Sequence, residues 1–461
     1  MGLVAMEIPG VWHCGERGSP VVRRQQACSL FGRFPWQSER PSGAIAPASA
    51  EEVGLISTQA PTVRAPYRDL LSTTLEILQM KKSLIALAAL GAFAGAASAQ
   101  SSVTLYGLLD LNYQFIKAGD SASLGTAAGS DINKLSDGND WGPGSRWGLR
   151  VAEDLGSGLK ANVVLESGFT SDNGASGQNG RLFGRQAFVS LASATLGEVR
   201  LGRQYTLHDE VQLLTNPFGN ATILNPGGGG GYATAGTLAA PTGTSRLPLF
   251  IDAVRQDNAV QYISPSFAGF RVQGMVAAGE GVSDRYQGVK GTYANGPLNV
   301  GLSYEQSHAR VPVGGLSNVN KIVELGANYD FGVVKLFGGF QQGKDLTIGS
   351  GAPGGAGNGS QIGSLTIPAV GGAAFVANKL RAGTVGVSVP FGAITLAANY
   401  TQAKYENAAG LDRTLGRVGI GATYALSKLT TLYTAYGQST GDLKDAVLEK
   451  QVFQLGLRKA F

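Results

Sequence analysis

The chain has 461 residues, of which 68 are glycine and only 15% are charged, with 37 basic side chains against 32 acidic ones. A net charge of +5 is too small for the basic face of a nucleic-acid binder, so no nucleic acid partner is expected. Mean hydropathy of +0.03 suits apolar and polar residues that alternate so finely that they cancel in any wide window.

Residues 1–79 mix Pro, Arg and Ser without sustained periodicity and are expected to be a non-native or disordered leader, upstream of a true initiator at Met80. Lys81 and Lys82, the apolar run Leu84 to Ala94, and Ala97-Ser98-Ala99 then form the three regions of a secretory signal peptide over 80–99. That run is too short and too rich in Ala and Gly to anchor a chain in a membrane. The mature chain, 100–461, loses both Cys14 and Cys28 with the leader, and an exported chain without cysteine has no disulfide framework.

From Ser102 the pattern has period two. Val103, Leu105, Leu109 and Leu111 alternate with Thr104, Tyr106, Asp110 and Asn112. The same holds for Leu298-Val300-Leu302-Tyr304, for Val323-Leu325-Ala327-Tyr329-Phe331 and for Phe453-Leu455-Leu457-Phe461. Successive side chains of a strand point to opposite faces, so each segment has one apolar face and one that is polar or tiny.

The connections alternate in length. Tight turns are read at Glu153–Gly158, Thr195–Gly197, Pro265–Gly269, Asn295–Pro297, Asp330–Gly332, Pro390–Gly392 and Leu426–Lys428. Between them lie longer connections near 118–141, 171–180, 206–254, 280–285, 311–319, 345–372, 407–412 and 441–447. Seven tight turns join fourteen strands, and the first and last make sixteen. In hydrocarbon an unpaired backbone group costs several kcal/mol, so strands can span only as a sheet closed on itself. The fold expected is all-β: a 16-stranded antiparallel transmembrane β-barrel with long external loops. Barrels of sixteen to eighteen strands leave an aqueous channel. Tyr262, Tyr304, Tyr329, Tyr400 and Tyr424 are expected to form interfacial girdles.

One set of residues, in order, carries a resemblance. Tyr106-Gly107 with Asp110 is followed by Ser145-Arg146-Trp147-Gly148-Leu149-Arg150, Glu153-Asp154-Leu155-Gly156 and Gly158-Leu159-Lys160-Ala161. Then come Phe183-Gly184-Arg185-Gln186-Ala187, Gly202-Arg203-Gln204-Tyr205, Asp257-Asn258, Tyr262-Ile263-Ser264-Pro265 and a terminal Phe461. Over 100–461 the chain resembles the Gram-negative general porins of the betaproteobacterial type. The resemblance implies a passive diffusion channel for small hydrophilic solutes and ions in the outer membrane. It also implies a homotrimer of barrels set in outer-membrane lipid, and Phe461 as an assembly signal.

It further implies that the third loop, 206–254, folds inward and narrows the pore, a wide lumen being the space open to so long a connection. Such porins usually carry an acidic residue beside Pro217-Phe218-Gly219, where this chain has Asn216. Asp209, Glu210 and Asp252 are the remaining acidic candidates of the loop. Opposite them the resemblance places Arg146, Arg185 and Arg255. Parity supports Arg146, which shares a face with Gly148 and Arg150, and Arg255, which shares one with Asp257 and Gln261. Arg185 is placed inward on the resemblance. Arg150, Lys160, Glu166 and Arg203 are further lumen candidates. A charge about 10 Å from an ion in water contributes roughly 0.4 kcal/mol, so three give a factor of about eight before screening. A mild anion preference is expected.

No cofactor, metal site or enzymatic activity is expected. His208 and His308 lack metal-ligand spacing, and Ser307 and His308, adjacent on a strand, point to opposite faces. The nearest alternatives are a substrate-specific anion channel and a barrel adhesin.

Overall fold

The computed structural model describes residues 101–138, 144–217, 232–233, 246–251, 255–280, 285–308, 319–346 and 365–461. The leader, the signal peptide, the run Gly227–Gly231 and Asp252 lie outside these residues.

Strands β1 (Ser102–Lys117), β2 (Asp131–Asp137), β3 (Arg146–Gly156), β4 (Leu159–Gly168), β5 (Gln186–Ser193) and β6 (Gly197–Tyr205) come first. The third long connection carries two short strands, β7 (Tyr232–Ala233) and β8 (Arg246–Leu247). Then follow β9 (Arg255–Ile263), β10 (Phe270–Ala277), β11 (Arg285–Asn295), β12 (Leu298–His308), β13 (Val319–Asp330) and β14 (Lys335–Lys344). A small hairpin of β15 (Leu365–Ile367) and β16 (Phe375–Ala377) precedes β17 (Lys379–Phe391), β18 (Ile394–Glu406), β19 (Asp412–Ser427), β20 (Thr430–Thr440) and β21 (Gln451–Ala460).

Barrel strands pair antiparallel with their sequence neighbours, and β21 returns to β1 from Leu108↔Ala460 to Lys117↔Gln451. One half of β1 pairs with β2 (Leu111↔Asp137 to Lys117↔Asp131) and the other with β3 (Ser102↔Ala152 to Leu108↔Arg146). The two therefore act as one interrupted staff, and the 17-stranded sheet fills sixteen positions around the barrel. Closure leaves no unpaired edge for hydrocarbon to meet. No described helix is long and apolar enough to cross a membrane.

The period-two pattern maps onto the two faces as expected. In β1, Leu109, Tyr113 and Phe115 are exposed on the outer wall, while Asp110, Asn112 and Gln114 are buried on the inner side. Leu191, Val260, Leu302, Leu325, Phe340, Val385, Ile420 and Leu455 continue the exposed apolar surface around the barrel. So large an apolar surface calls for lipid as its solvent. All five girdle tyrosines are exposed, but only Tyr262, Tyr329 and Tyr424 stand near strand ends; Tyr304 and Tyr400 sit mid-strand. At the short-turn end Phe270 packs on Tyr293 and Tyr329 on Phe331, with ring centroids 4.3 and 4.4 Å apart.

Each of the seven expected tight turns joins two barrel strands. The β3–β4 turn shows why glycine stands there: Gly156 and Gly158 take φ of +83° and +76°, on either side of Ser157 at +52°.

The outer mouth departs from a wholly polar interior. Leu249, Phe250 and Ile251 of the third loop, Ile367 and Phe375 of the small hairpin, and Leu443 and Val447 of the last loop are buried together. They pack on inward residues of the outer strand ends, Ile322, Leu380 and Tyr405 among them. Inner-face positions at that end are apolar because loops, not water, cover them.

Candidate pore constriction

The third loop leaves β6 and at once forms the helix Leu207–Leu213, with Asp209 and Glu210 in its first turn. Acidic residues suit that end, where backbone N–H groups lack helical partners. The barrel wall supplies a further carboxylate there. Glu305 on β12 accepts from the His208 backbone N–H at 2.6 Å and pairs with His208 Nδ1 at 2.5 Å. Leu207 and Val211, one turn apart, face the wall, and Leu207 joins Met275 and Tyr286 in a small apolar cluster.

Glycines on the wall make room for this helix. Gly301, Gly326 and Gly339 are cross-strand neighbours on β12, β13 and β14. A Cβ on Gly326 would lie 2.5 Å from the Val211 carbonyl oxygen, and one on Gly339 would lie 2.5 Å from Thr215 Cγ2. Farther along, Gly386 on β17 faces Pro217. The loop's return leg is held to the same wall. The Gln341 side chain accepts from the Ile251 N–H at 2.6 Å and donates to the Ile251 carbonyl at 2.9 Å, and Tyr405 donates to the Pro248 carbonyl at 2.8 Å.

The basic candidates meet from both sides of the loop, Arg146 on β3 and Arg185 just before β5 preceding it and Arg255 at the start of β9 following it. Arg185 Nε donates to Glu166 Oε1 at 2.7 Å, and Arg146 lies 3.9 Å from Glu166 Oε2. Tyr106 donates to the same carboxylate at 2.9 Å. The Tyr205 phenol oxygen accepts from Arg185 Nη2 at 2.7 Å and from Arg255 Nη2 at 3.1 Å, so one oxygen holds two guanidiniums. Arg255 also stacks over the Tyr205 ring at 4.7 Å. Three arginines thus gather around one carboxylate and one phenol. Arg185 is buried beneath, while Arg146 keeps a quarter of its side chain exposed.

The parity argument for Arg255 does not carry through β9. Asn258 takes φ +52° and the β6–β9 register shifts between Gly202 and Gln204, a bulge that interrupts the alternation. Arg255 still reaches Tyr205. Of the further candidates, Glu166 is the centre of the cluster, and Arg150 stacks 4.1 Å over the Tyr106 ring. Arg203 lies apart from that centre, paired with Asp257 and with Arg181 on the same carboxylate, and Lys160 is exposed beside the β3–β4 turn.

On the loop side Glu210 is the more exposed acid, and Lys290 of β11, buried beneath it, forms an ion pair with it. Gln273 also donates to Glu210, at 3.3 Å. Asp209 is buried. A second charged network lies on β1, β20 and β21, where Asp110 accepts from Arg458 Nε at 2.9 Å and from Tyr433 at 2.7 Å. Sequence reasoning missed Tyr106, Tyr205, Lys290, Glu305 and Arg458 as parts of these networks. Arg458 stands in register with Asp110, an inward polar pair that closure of the first strand on the last brings together.

The chain resembles known proteins in sequence and in fold. A family model described as Gram-negative porin matches residues 86–444. An outer membrane porin protein of Bordetella pertussis is 34% identical over 414 residues, covering 83% of this chain and 100% of that relative. Outer membrane porin protein 32 of Delftia acidovorans is 41% identical over 277 residues, covering 58% of this chain and 70% of its own length. Among solved structures, an anion-selective porin from Comamonas acidovorans aligns with a TM-score of 0.56 at 29% identity, over 78% of this chain and 100% of that one.

Proposed function

The chain belongs to the Gram-negative porins and forms a passive outer-membrane channel for small hydrophilic solutes, and from that premise we propose that its pore prefers anions. The observation that supports this is the make-up of the cluster among the described residues: Arg146, Arg185 and Arg255 gather around the Glu166 carboxylate and the Tyr205 phenol, three cations to one carboxylate. Across the lumen the exposed acid of the loop, Glu210, is matched by Lys290. Two charges about 10 Å from a passing ion contribute roughly 0.8 kcal/mol in water, a factor of about four before screening. Glu166 thus halves the effect expected from the sequence.

The mechanism needs no bound intermediate. An anion entering the narrowed section meets guanidinium groups fixed by Glu166 and Tyr205, which cost no rearrangement as it passes, while a cation meets the same charges as a barrier. Reversal potentials in a salt gradient across a planar bilayer test this. Chloride should permeate about fourfold better than potassium, and Arg146→Ala and Arg255→Ala should each remove about a factor of two. A cation-preferring wild-type pore would refute the assignment.

We also infer that the barrel assembles as a homotrimer and that mature protein begins at Gln100 once residues 80–99 are removed. Intact mass of protein from the native membrane reads both, as the trimer in detergent and the protomer after denaturation.

A further inference from the structure

On the short-turn side of the third loop, the loop and the inner wall border a cavity of about 470 Å³. That is within the range of small-molecule sites, which begins at about 300 Å³. Its wall side comes from two rows of register partners. Asn299 on β12, Asn328 on β13, Phe337 on β14 and Gly386 on β17 stand opposite one another in turn. One inward position nearer the short turns, Lys335 stands opposite Ser388. Parity turns all six inward, because Leu302, Tyr329, Leu336 and Val385 on the same strands are exposed on the outer wall. The loop closes the other side. Asn328 donates to the Leu214 carbonyl at 3.1 Å, and a Cβ on Gly386 would lie 2.7 Å from Pro217 Cγ. Both walls are thus held by contacts that need no ligand.

Apolar and polar surface are set apart within it. Phe337, Leu213 and Pro217 supply the apolar part. The Asn328 amide uses both its ends, accepting from Asn299 Nδ2 at 3.1 Å and donating to Leu214. The donors left to a ligand are the second Nδ2 hydrogen of Asn299, the Ser388 hydroxyl and the Lys335 ammonium. Among the described residues no carboxylate lines the cavity or pairs with Lys335, whose ammonium lies 5.5 Å from the centre of the Phe337 ring. A lone ammonium over an aromatic face suits an anion with a flat apolar body. A carboxylate can take the Lys335 and Ser388 donors together, while a ring stacks, offset, on Phe337 beside Pro217.

We propose that this cavity is a binding subsite for small aromatic carboxylates, on the periplasmic side of the constriction. Short turns face the periplasm in an outer-membrane barrel, so a solute reaches the cavity after it has passed the third loop. The subsite holds such a solute briefly, because a channel conducts only what it binds weakly enough to release. The inference rests on the channel reading and not on the charge preference of the pore. A barrel that conducts without preferring chloride would remove that preference and leave this subsite standing.

Saturation-transfer NMR of the folded barrel in deuterated detergent, titrated at neutral pH with benzoate, benzamide or acetate, tests it. Benzamide keeps the ring and loses the charge, and acetate does the reverse. Each should bind at least about tenfold more weakly than benzoate, one for its lost charged hydrogen bonds and the other for its lost apolar burial. Lys335→Gln should weaken benzoate about tenfold and bring it level with benzamide. Phe337→Leu should weaken benzoate about threefold or more and leave acetate as it was. Equal binding of benzoate and acetate to the wild type overturns the proposal. So does full benzoate affinity in Lys335→Gln, which would return the binding to the arginines of the constriction. Should that variant fail to fold, Ser388→Leu, which fills the cavity and keeps the charge, must weaken benzoate by a similar factor, and wild-type affinity there overturns the proposal as well.

Discussion

Gly326 and Val211 are in such close approach that a single added carbon would collide: a Cβ on Gly326 would stand 2.5 Å from the Val211 carbonyl oxygen. The obstacle is backbone and not the end of a flexible side chain, so the helix of the third loop would have to move away from the wall. Gly326→Ala should therefore cost on the order of 1–3 kcal/mol of stability by overpacking, and change single-channel conductance by shifting the loop within the lumen. Thermal unfolding in detergent and bilayer recordings read the two effects. Wild-type values for both would mean that the loop does not rest on this strand.

The Glu210–Lys290 pair divides a charge between lumen and wall, because the carboxylate is half exposed and the ammonium is buried. Lys290→Met leaves Glu210 unopposed beside the pore and should reduce anion preference by about twofold, one charge at about 10 Å. Glu210→Gln should raise the preference by a similar factor. It should also cost about 1–2 kcal/mol, less than the roughly 3–5 of a fully buried pair, because half of this one is already in water. Reversal potentials that move in the same direction for both variants would contradict the geometry.

At the outer surface Lys450 joins two loops, bonding Asp120 at 2.5 Å and Asp445 at 2.7 Å. Its ammonium holds the Asp120 carboxyl below the usual carboxylate range, first by the hydrogen bond and then by charge. The two carboxylates raise Lys450 in turn, through their hydrogen bonds. The contribution of Asp120 is thus present above about pH 4 and lost as the pH falls through its lowered value, while that of Lys450 persists below about pH 10.4 and is lost as the pH climbs through its raised value. Protection of the amides in residues 441–450, measured as exchange relative to the intrinsic rate at each pH, should be high between these limits and fall on acidification below about pH 4. Protection that stays flat across that range would show that the clasp does not hold the loop.

Phe461 closes the seam. Its N–H donates to the Gly107 carbonyl at 3.1 Å, and the Gly107 N–H donates to its carbonyl at 2.9 Å. Its ring lies over Gly107, where a Cβ would meet the ring at 2.1 Å. Deleting Phe461 should remove roughly 1–3 kcal/mol through the two lost hydrogen bonds. The deletion should also lower the yield of folded barrel on refolding, measured by the electrophoretic shift of unheated samples. Refolding at the wild-type yield would leave the residue without a part in closure.

Much of this architecture was legible in the residues. Alternation in segments such as Val323 to Phe331, and turn chemistry such as Gly156-Ser157-Gly158, depend on neighbours in sequence, and strand, turn and strand count follow from them. Parity put Arg146 and Glu166 on one face for the same reason, and the two stand 3.9 Å apart. Parity gave no reliable account of Arg255, because the bulge at Asn258 inserts a residue that no periodic pattern announces.

By itself the sequence determined the closed barrel, its two faces and the side on which its long loops lie, because those depend on local conformation and on the rule that backbone cannot stay unpaired in lipid. The tertiary structure alone decided how charges are matched. That Tyr205 holds two arginines, that Lys290 lies beneath Glu210, and that Lys335 stands opposite Ser388 all depend on register between strands distant in the chain. Electrostatic energy falls with distance in space, and spacing along the chain does not encode it.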